Sequence, residues 1–378
     1  MGLTPGYKQT EVGVIPEDWL LRPFSTVVRI ASGQVDPRNE PFCSMYLVAP
    51  DHIESGSGRL LKIETAGEQH AISGKYLFTA GDIVYSKIRP YLKKAILADF
   101  DGLCSADMYP LRPFADSSAG FVFAAILGHH FSKYAESVSV RSGMPKINRV
   151  ELAEYIFALP PTKAEQEKVV EVLSDVDTLI ESLEQLLTKK RHLKQGAVQE
   201  LLRPKPGWVC RKLLNIAPLQ RGFDLPNRQL ENGPYPVVYS NGVLNHHRTF
   251  MVNGPGLVTG RSGTLGVVQF IEENFWPHNT TLWVTDFKGN NPKFIYYLYS
   301  EIGLDRFGTG SGVPTLNRND VHDYSTSIPK GLEEQIAIAA VLSDMDAEIA
   351  TLETKLTKVR QLKQGIMQEL LTGRIRLI

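Results

Sequence analysis

The chain has 378 residues, 43% of them apolar and 22% charged, and its 41 basic and 41 acidic side chains cancel to a formal net charge of zero. Such values exclude a wholly disordered chain. They also exclude a surface coated all over with phosphate-binding charge, though not one basic face on a balanced whole.

No run of about eighteen apolar residues occurs, so no membrane span is expected. The opening MGLTPGYKQTEVG lacks a basic-then-apolar leader. Cys43, Cys104 and Cys210 are far apart and in no metal-like spacing, which suits a reducing cytoplasm. After IPEDW (Ile15 to Trp19), a first front reads as mixed α/β. GDIVYSK (81–87), KKAILADF (93–100) and CSADMYPLRP (104–113) have strand character, and AGFVFAAILGHHFSKYAESV (119–138) reads as one helix. The loop SGMPKINR (142–149) and a short strand ending at Pro160-Pro161 follow.

From Thr162 to Leu202 a long helix is expected, opened by a capping-box pattern of Thr162 and Glu165. Its apolar residues Val169, Leu173, Val176, Ile180, Leu183 and Leu187, then Leu193 and Ala197, have the four-and-three spacing of a coiled-coil seam. A second front then gives strands GPGLVTG (254–260), GVVQFI (266–271) and TTLWVTD (280–286). The stretch NPKFIYYLYSEIGLDRF (291–307) reads as one helix, with Asn291 as cap and Pro292 at its first position. The loop SGVPTLNR (311–318) leads to a second long helix from Gly331, with a seam of Ile338, Leu342, Met345, Ile349, Leu352, Leu356, Val359, Leu362 and Ile366.

The chain is therefore a duplication. Ser142 plus 169 is Ser311, and Leu193 plus 169 is Leu362. At this offset EQEKVVEVLSDVD (165–177) matches EQIAIAAVLSDMD (334–346), and LKQGAVQELL (193–202) matches LKQGIMQELL (362–371). Upstream, EDWLLR (17–22) meets PGWVCR (206–211) at an offset of 189, and GDIVYSKIRP (81–90) resembles GPGLVTGRSG (254–263) in pattern only. Each copy is a variable front on a near-constant back.

Helices of about 40 residues span roughly 60 Å, too long to bury a stripe within one small domain. The economical arrangement pairs the two copies antiparallel through Leu173, Val176, Ile180, Leu183 and Leu187 and through Leu342, Met345, Ile349, Leu352 and Leu356. Packing of each helix on its own front, or homodimerisation, would also bury the stripe. Gly196 and Gly365, each costing roughly 1 kcal/mol against alanine, are read as thin spots at a helix or subunit interface, or as strain tolerated near a fraying end.

Basic and polar residues gather in the loops, as expected for contacts to phosphates and base edges. In the first front these are Lys87, Arg89, Lys93, Lys94, Arg141, Lys146 and Arg149. In the second they are Arg221, Asn241, His246, His247, Arg248, Arg261, Ser262, Asn279 and Arg318, with Arg261 the leading candidate for base reading. Any one of these is more often just a solvated loop charge. No phosphate-binding Gly-x-x-x-x-Gly-Lys-Ser/Thr loop, nucleophile elbow or metal-spaced histidine set is present. No catalytic site assembles.

Together the paired EQxxxxxVLSDxD and LKQGxxQELL blocks, the SGVPTLNRNDVHDYSTSIPKGLEEQIAI stretch, the IPEDW opening, RSGTLG (261–266) and NTTLWV (279–284) resemble the specificity subunit of type I restriction-modification systems, over essentially the whole chain. The resemblance implies a mixed α/β fold of two target recognition domains (1–161 and 204–330). Two long antiparallel coiled-coil helices (162–203 and 331–378) would join them about a pseudo-twofold axis. It implies a non-catalytic, cytoplasmic, DNA-binding subunit that reads a bipartite asymmetric site in double-stranded DNA. Its partners would be two methyltransferase subunits acting on adenine N6 and motor-nuclease (restriction) subunits. S-adenosylmethionine, ATP and Mg²⁺ would sit on those partners, with no cofactor or metal on this chain. The first front departs most, with SKIRPYLKKA where the second has GRSGTLGVV. A recognition subunit serving a fused nuclease-methylase (a type IIB-like system) is the alternative within the class. Outside it stand an enzyme that acts on DNA unaided and a scaffold with no DNA role.

Overall fold

The computed structural model of the chain describes residues 5–139, 143–310 and 314–377. It divides into two compact units: Met1–Ser182 with Leu356–Ile378, and Leu183–Lys355. Each unit thus takes one front, part of the long helix beside it in sequence, and part of the other long helix.

Both fronts are mixed α/β, and each has its own central four-stranded antiparallel sheet. In the first, the order is Val28–Ile30, Met108–Pro113, Ile83–Ser86 and Ala95–Leu97; in the second, it is Leu219–Arg221, Thr281–Val284, Gly256–Gly260 and Val268–Ile271. Every stretch read as a strand forms one. Ile83–Ser86 and Gly256–Gly260 are buried at every residue, which is why they run apolar rather than alternating. The two offsets found in sequence meet across a single ladder. Leu20 pairs with Leu159 and Val209 pairs with Ile328; Leu20 plus 189 is Val209, and Leu159 plus 169 is Ile328. The fronts diverge in a second sheet, four-stranded in the first (Gln34–Val35, Lys75–Phe78, Gly102–Cys104, Leu47–Val48) and three-stranded in the second (Gly242–His247, Tyr235–Tyr239, Trp276–Pro277).

Residues 119–138 are not one helix but two, Ala119–Leu127 and His129–Val138, because Gly128 is extended and interrupts the hydrogen-bond ladder. The second front likewise breaks at Gly303 (φ 68°), between Pro292–Ile302 and a 3-10 turn, Leu304–Phe307. Asn291 caps its helix as expected, its side chain accepting from the Phe294 N–H at 2.9 Å.

The long helices span Lys163–Leu201 and Leu332–Leu371. Their N-terminal parts are keyed to the fronts by the glutamine of the repeated EQ. The Gln166 amide oxygen accepts from the Ser118 N–H (2.8 Å) while its nitrogen donates to the Pro160 carbonyl (3.3 Å). Gln335 makes the same pair of bonds, from the Asn291 N–H (2.9 Å) and to the Pro329 carbonyl (3.1 Å). The capping box is only half formed: Thr162 accepts from the Glu165 N–H (3.2 Å), but the Glu165 carboxylate turns to the Arg376 guanidinium (2.9 Å at both oxygens).

Within each unit the helices run antiparallel. In the first, Glu165 and Asp177 meet Arg376 and Lys363 (the latter pair at 2.5 Å). In the second, Lys190 meets Glu348 (2.6 Å) and Lys194 meets Asp346. Lys194 plus 169 is Lys363, and Asp177 plus 169 is Asp346, so one pairing is written twice: the last aspartate of LSDxD against the lysine of LKQG. Leu173, Leu183, Leu187, Leu342, Leu356 and Val359 are buried, and Val176, Ile180, Met345, Ile349 and Leu352 are half-buried. Leu173 and Leu370 join the first core, and Leu342 and Leu202 the second.

Two expectations fail here. Leu193 and Leu362 leave the seam, at 50% and 57% exposed, because Lys194 and Lys363 turn inward to the aspartates in the next position. Gly196 and Gly365 do not mark a close approach of helices, since a Cβ at either would meet no atom within 4 Å. In line with the sequence, no helix among the described residues is long and apolar enough to cross a membrane.

Candidate nucleic-acid interface

In each front the chain leaves the central strand and immediately meets the SGxPxxNR loop. In the first, Ile88 bridges Lys146, the Arg89 N–H donates to the Pro145 carbonyl (2.8 Å), and the Ile147 N–H donates to the Lys87 carbonyl (2.9 Å). In the second, Ser262 bridges Thr315, the Gly263 N–H donates to the Pro314 carbonyl (3.2 Å), and the Leu316 N–H donates to the Arg261 carbonyl (2.7 Å). Position by position, Lys87 is Arg261, Ile88 is Ser262, and Arg89 is Gly263.

The equivalence extends to side chains. The Lys87 ammonium donates to the Ala106 carbonyl, and the Arg261 guanidinium donates to the Asn279 carbonyl (3.3 Å). Their backbone N–H groups donate to the next carbonyls, Asp107 (3.0 Å) and Thr280 (2.8 Å). A cation at this position therefore holds the loop that enters the central strand of the sheet, 105–107 in one front and 278–280 in the other.

The NR of the motif is architectural too. Asn148 and Asn317 cap short helices, Arg149–Ala153 and Arg318–Asp323. The Arg149 guanidinium donates to the Ile30 (3.3 Å) and Ala31 (2.7 Å) carbonyls and lies over the Tyr109 ring, 4.9 Å from its centroid. Arg318 instead meets the Gln220 side chain, and Ala31 plus 189 is Gln220. These arginines lock the loop to the first strand of each sheet.

The first front brings Lys87, Arg89, Lys146 and Arg149 together. Burial is the main cause that pushes the Lys87 ammonium below its ordinary value, with the charges of Lys146 and Arg149 adding to it. Lys94 donates to the Pro50 carbonyl (2.7 Å); Lys93 is half-buried and Arg89 and Lys146 are exposed. Arg141 lies outside the described residues.

In the second front Asn279 donates its amide to Asp224, which also accepts from Arg221 (3.0 Å). The Asn279 hydrogen bond is the main cause that holds the Asp224 carboxyl below its ordinary value. Arg221, Asn279 and Arg261 thus form one group around an acidic member, Asp224, that the search for basic residues passed over. Ser262 is half-buried beside them. Asn241 and His246 are exposed on the hairpin of the three-stranded sheet, and Arg248 pairs with Glu231 (3.4 Å).

Two candidates do not sit on open loops. His247 is 7% exposed, its ring against Trp276 and its Nδ1 at the Glu231 backbone. Lys87 is 9% exposed, its ammonium committed to a carbonyl. Among the described residues there is no group of three or more His, Cys, Asp or Glu that could hold a metal.

Comparison with known proteins agrees with this duplicated design. The family described as type I restriction modification DNA specificity domain matches residues 51–189 and again 205–361. The chain is 34% identical over 200 residues to the Escherichia coli type I restriction enzyme EcoDI specificity subunit, a match covering 52% of this chain and 44% of that relative. It is 24% identical over 426 residues to the putative type I restriction enzyme MjaX specificity subunit of Methanocaldococcus jannaschii, covering 98% of this chain and 96% of that one. The fold matches a type I restriction-modification S subunit from M. genitalium with a TM-score of 0.64 at 14% identity, covering 97% of this chain and 99% of the other. It matches a chain of a type I R-M system, solved to explain its complex assembly and conformational transition, with a TM-score of 0.61 at 16% identity over 96% and 99%.

Proposed function

Because the chain belongs to the type I restriction-modification DNA specificity family, we propose that it recognises a bipartite, asymmetric site in double-stranded DNA, one half with each front, and brings adenine-N6 methyltransferase and restriction subunits to it. One observation carries this reading. The same hydrogen-bonded frame is built twice, around Lys87 and around Arg261, while the side chains presented from it differ. A protein reading one repeated target has no use for that divergence.

In this reading the chain is a specificity subunit with no catalytic residue of its own, acting in the cytoplasm. S-adenosylmethionine, ATP and Mg²⁺ belong to the partners. Two methyltransferase subunits dock on the exposed apolar positions of the repeated helix ends, Leu193 and Leu362. Gly196 and Gly365, open and exposed beside them, keep that surface thin. Its named relatives belong to type I enzymes, so a fused nuclease-methylase partner is not favoured.

The test is reconstitution. The chain with its methyltransferase should methylate duplex DNA, and neither component should do so alone. Methylation by the isolated chain would make it an enzyme; methylation by the partner alone would leave this chain without the role.

A further inference from the structure

Arg89 has left-handed backbone, φ 48° and ψ 58°, a region that is strained for a residue bearing a side chain. It also precedes Pro90, which further restricts the residue before it. The equivalent position in the second front is Gly263, at φ 83°, where no such cost arises. Both backbones are held by the same hydrogen bond, to Pro145 and to Pro314, so the frame demands this conformation and glycine satisfies it. The first front nevertheless carries arginine.

Nothing among the described residues accounts for that choice. Arg89 is exposed, and its guanidinium makes no hydrogen bond or ion pair among the described residues. Its neighbours across the bridge are held: Lys87 by the Ala106 carbonyl and Arg149 by Ile30 and Ala31. Five N–H donors in a rigid fork are therefore presented outward, from a rigid base, beside the exposed Lys146.

Resting on the reading of the fronts as DNA recognition domains, we propose that Arg89 is a specificity-determining residue of the first front, donating its two-pronged fork to O6 and N7 of a guanine in the major groove. The second front, with Gly263 at this position, makes no such contact there and reads its half-site by other side chains. Recognition in the two halves is thus unequal at one defined position of a common frame.

The experiment uses the full chain assembled with its methyltransferase. The probes are a duplex carrying the site methylated in the host, its single-base variants in each half, and a scrambled duplex. Arg89→Gly should leave the thermal unfolding midpoint unchanged or higher, since it removes backbone strain. It should weaken binding to the intact site roughly five- to 150-fold and abolish discrimination at one G·C pair of one half-site only. Arg89→Lys should lose the same discrimination while keeping the affinity for scrambled DNA and its salt dependence. Equal weakening on intact and scrambled duplexes, with the salt slope reduced by about one, would mark a phosphate contact and overturn the assignment. So would a lower unfolding midpoint with discrimination intact. If the unmodified complex itself fails to prefer its site over the scrambled duplex, the DNA reading falls first, independently of Arg89.

Discussion

Single residues decide how this chain is held together and which of its charges are free. Gln166 and Gln335 lie within the repeated EQ, yet their task became visible only with the fold. Each joins the N-terminus of a long helix to a cap residue more than forty positions earlier in sequence. Replacing Gln335 by Leu keeps the bulk but strands the Asn291 N–H and the Pro329 carbonyl, so denaturant unfolding should report a loss of about 1–3 kcal/mol. A neutral outcome would mean that water replaces the amide. Candidate residues were legible as a class, since basic side chains in loops are conspicuous. Their division into free and committed was not. Arg149 is tied to Ile30 and Ala31, and His247 is buried against Trp276; both facts depend on sheet pairings that no local pattern encodes. Arg89 could be marked as basic, but its left-handed backbone could not be inferred from KIRP.

At the scale of elements, the strands and both long helices were readable because buried runs and seam periodicity are local signals. The seam was followed too far. Periodicity carried it through Leu193 and Leu362, whereas the helices turn the neighbouring lysines inward to meet aspartates of the other copy. Such pairs are partly exposed and worth at most about 1 kcal/mol each; their use is to fix register. Exchanging the charges of one pair, Lys194→Asp with Asp346→Lys, should therefore restore most of the stability lost by either change alone, as a double-mutant cycle would measure. Additive losses would reject the pairing. The outward leucines lead to a different expectation. Leu193→Glu and Leu362→Glu should leave the unfolding midpoint of the isolated chain within about 0.5 kcal/mol in stability and sharply reduce co-purification of the methyltransferase. Undiminished assembly would remove these positions from the docking surface.

For the whole molecule, the duplication is the feature from which the rest follows. Two offsets, 169 and 189, were visible in sequence, and they meet residue for residue across the Leu20–Leu159 and Val209–Ile328 ladders. The equivalence of Lys87 with Arg261 was not visible, because SKIRP and GRSGT share no side-chain pattern; only the common backbone hydrogen bonds reveal it. That contrast of constant frame and changed surface is what two readers on one geometry require. It is tested most directly by methylome sequencing of a host carrying this chain with its methyltransferase, against the same host with the chain deleted. The account predicts adenine N6 methylation that depends on this chain and falls in one motif of two different half-sites separated by a fixed unread gap. A continuous or palindromic motif, or a methylome unchanged by the deletion, would contradict it.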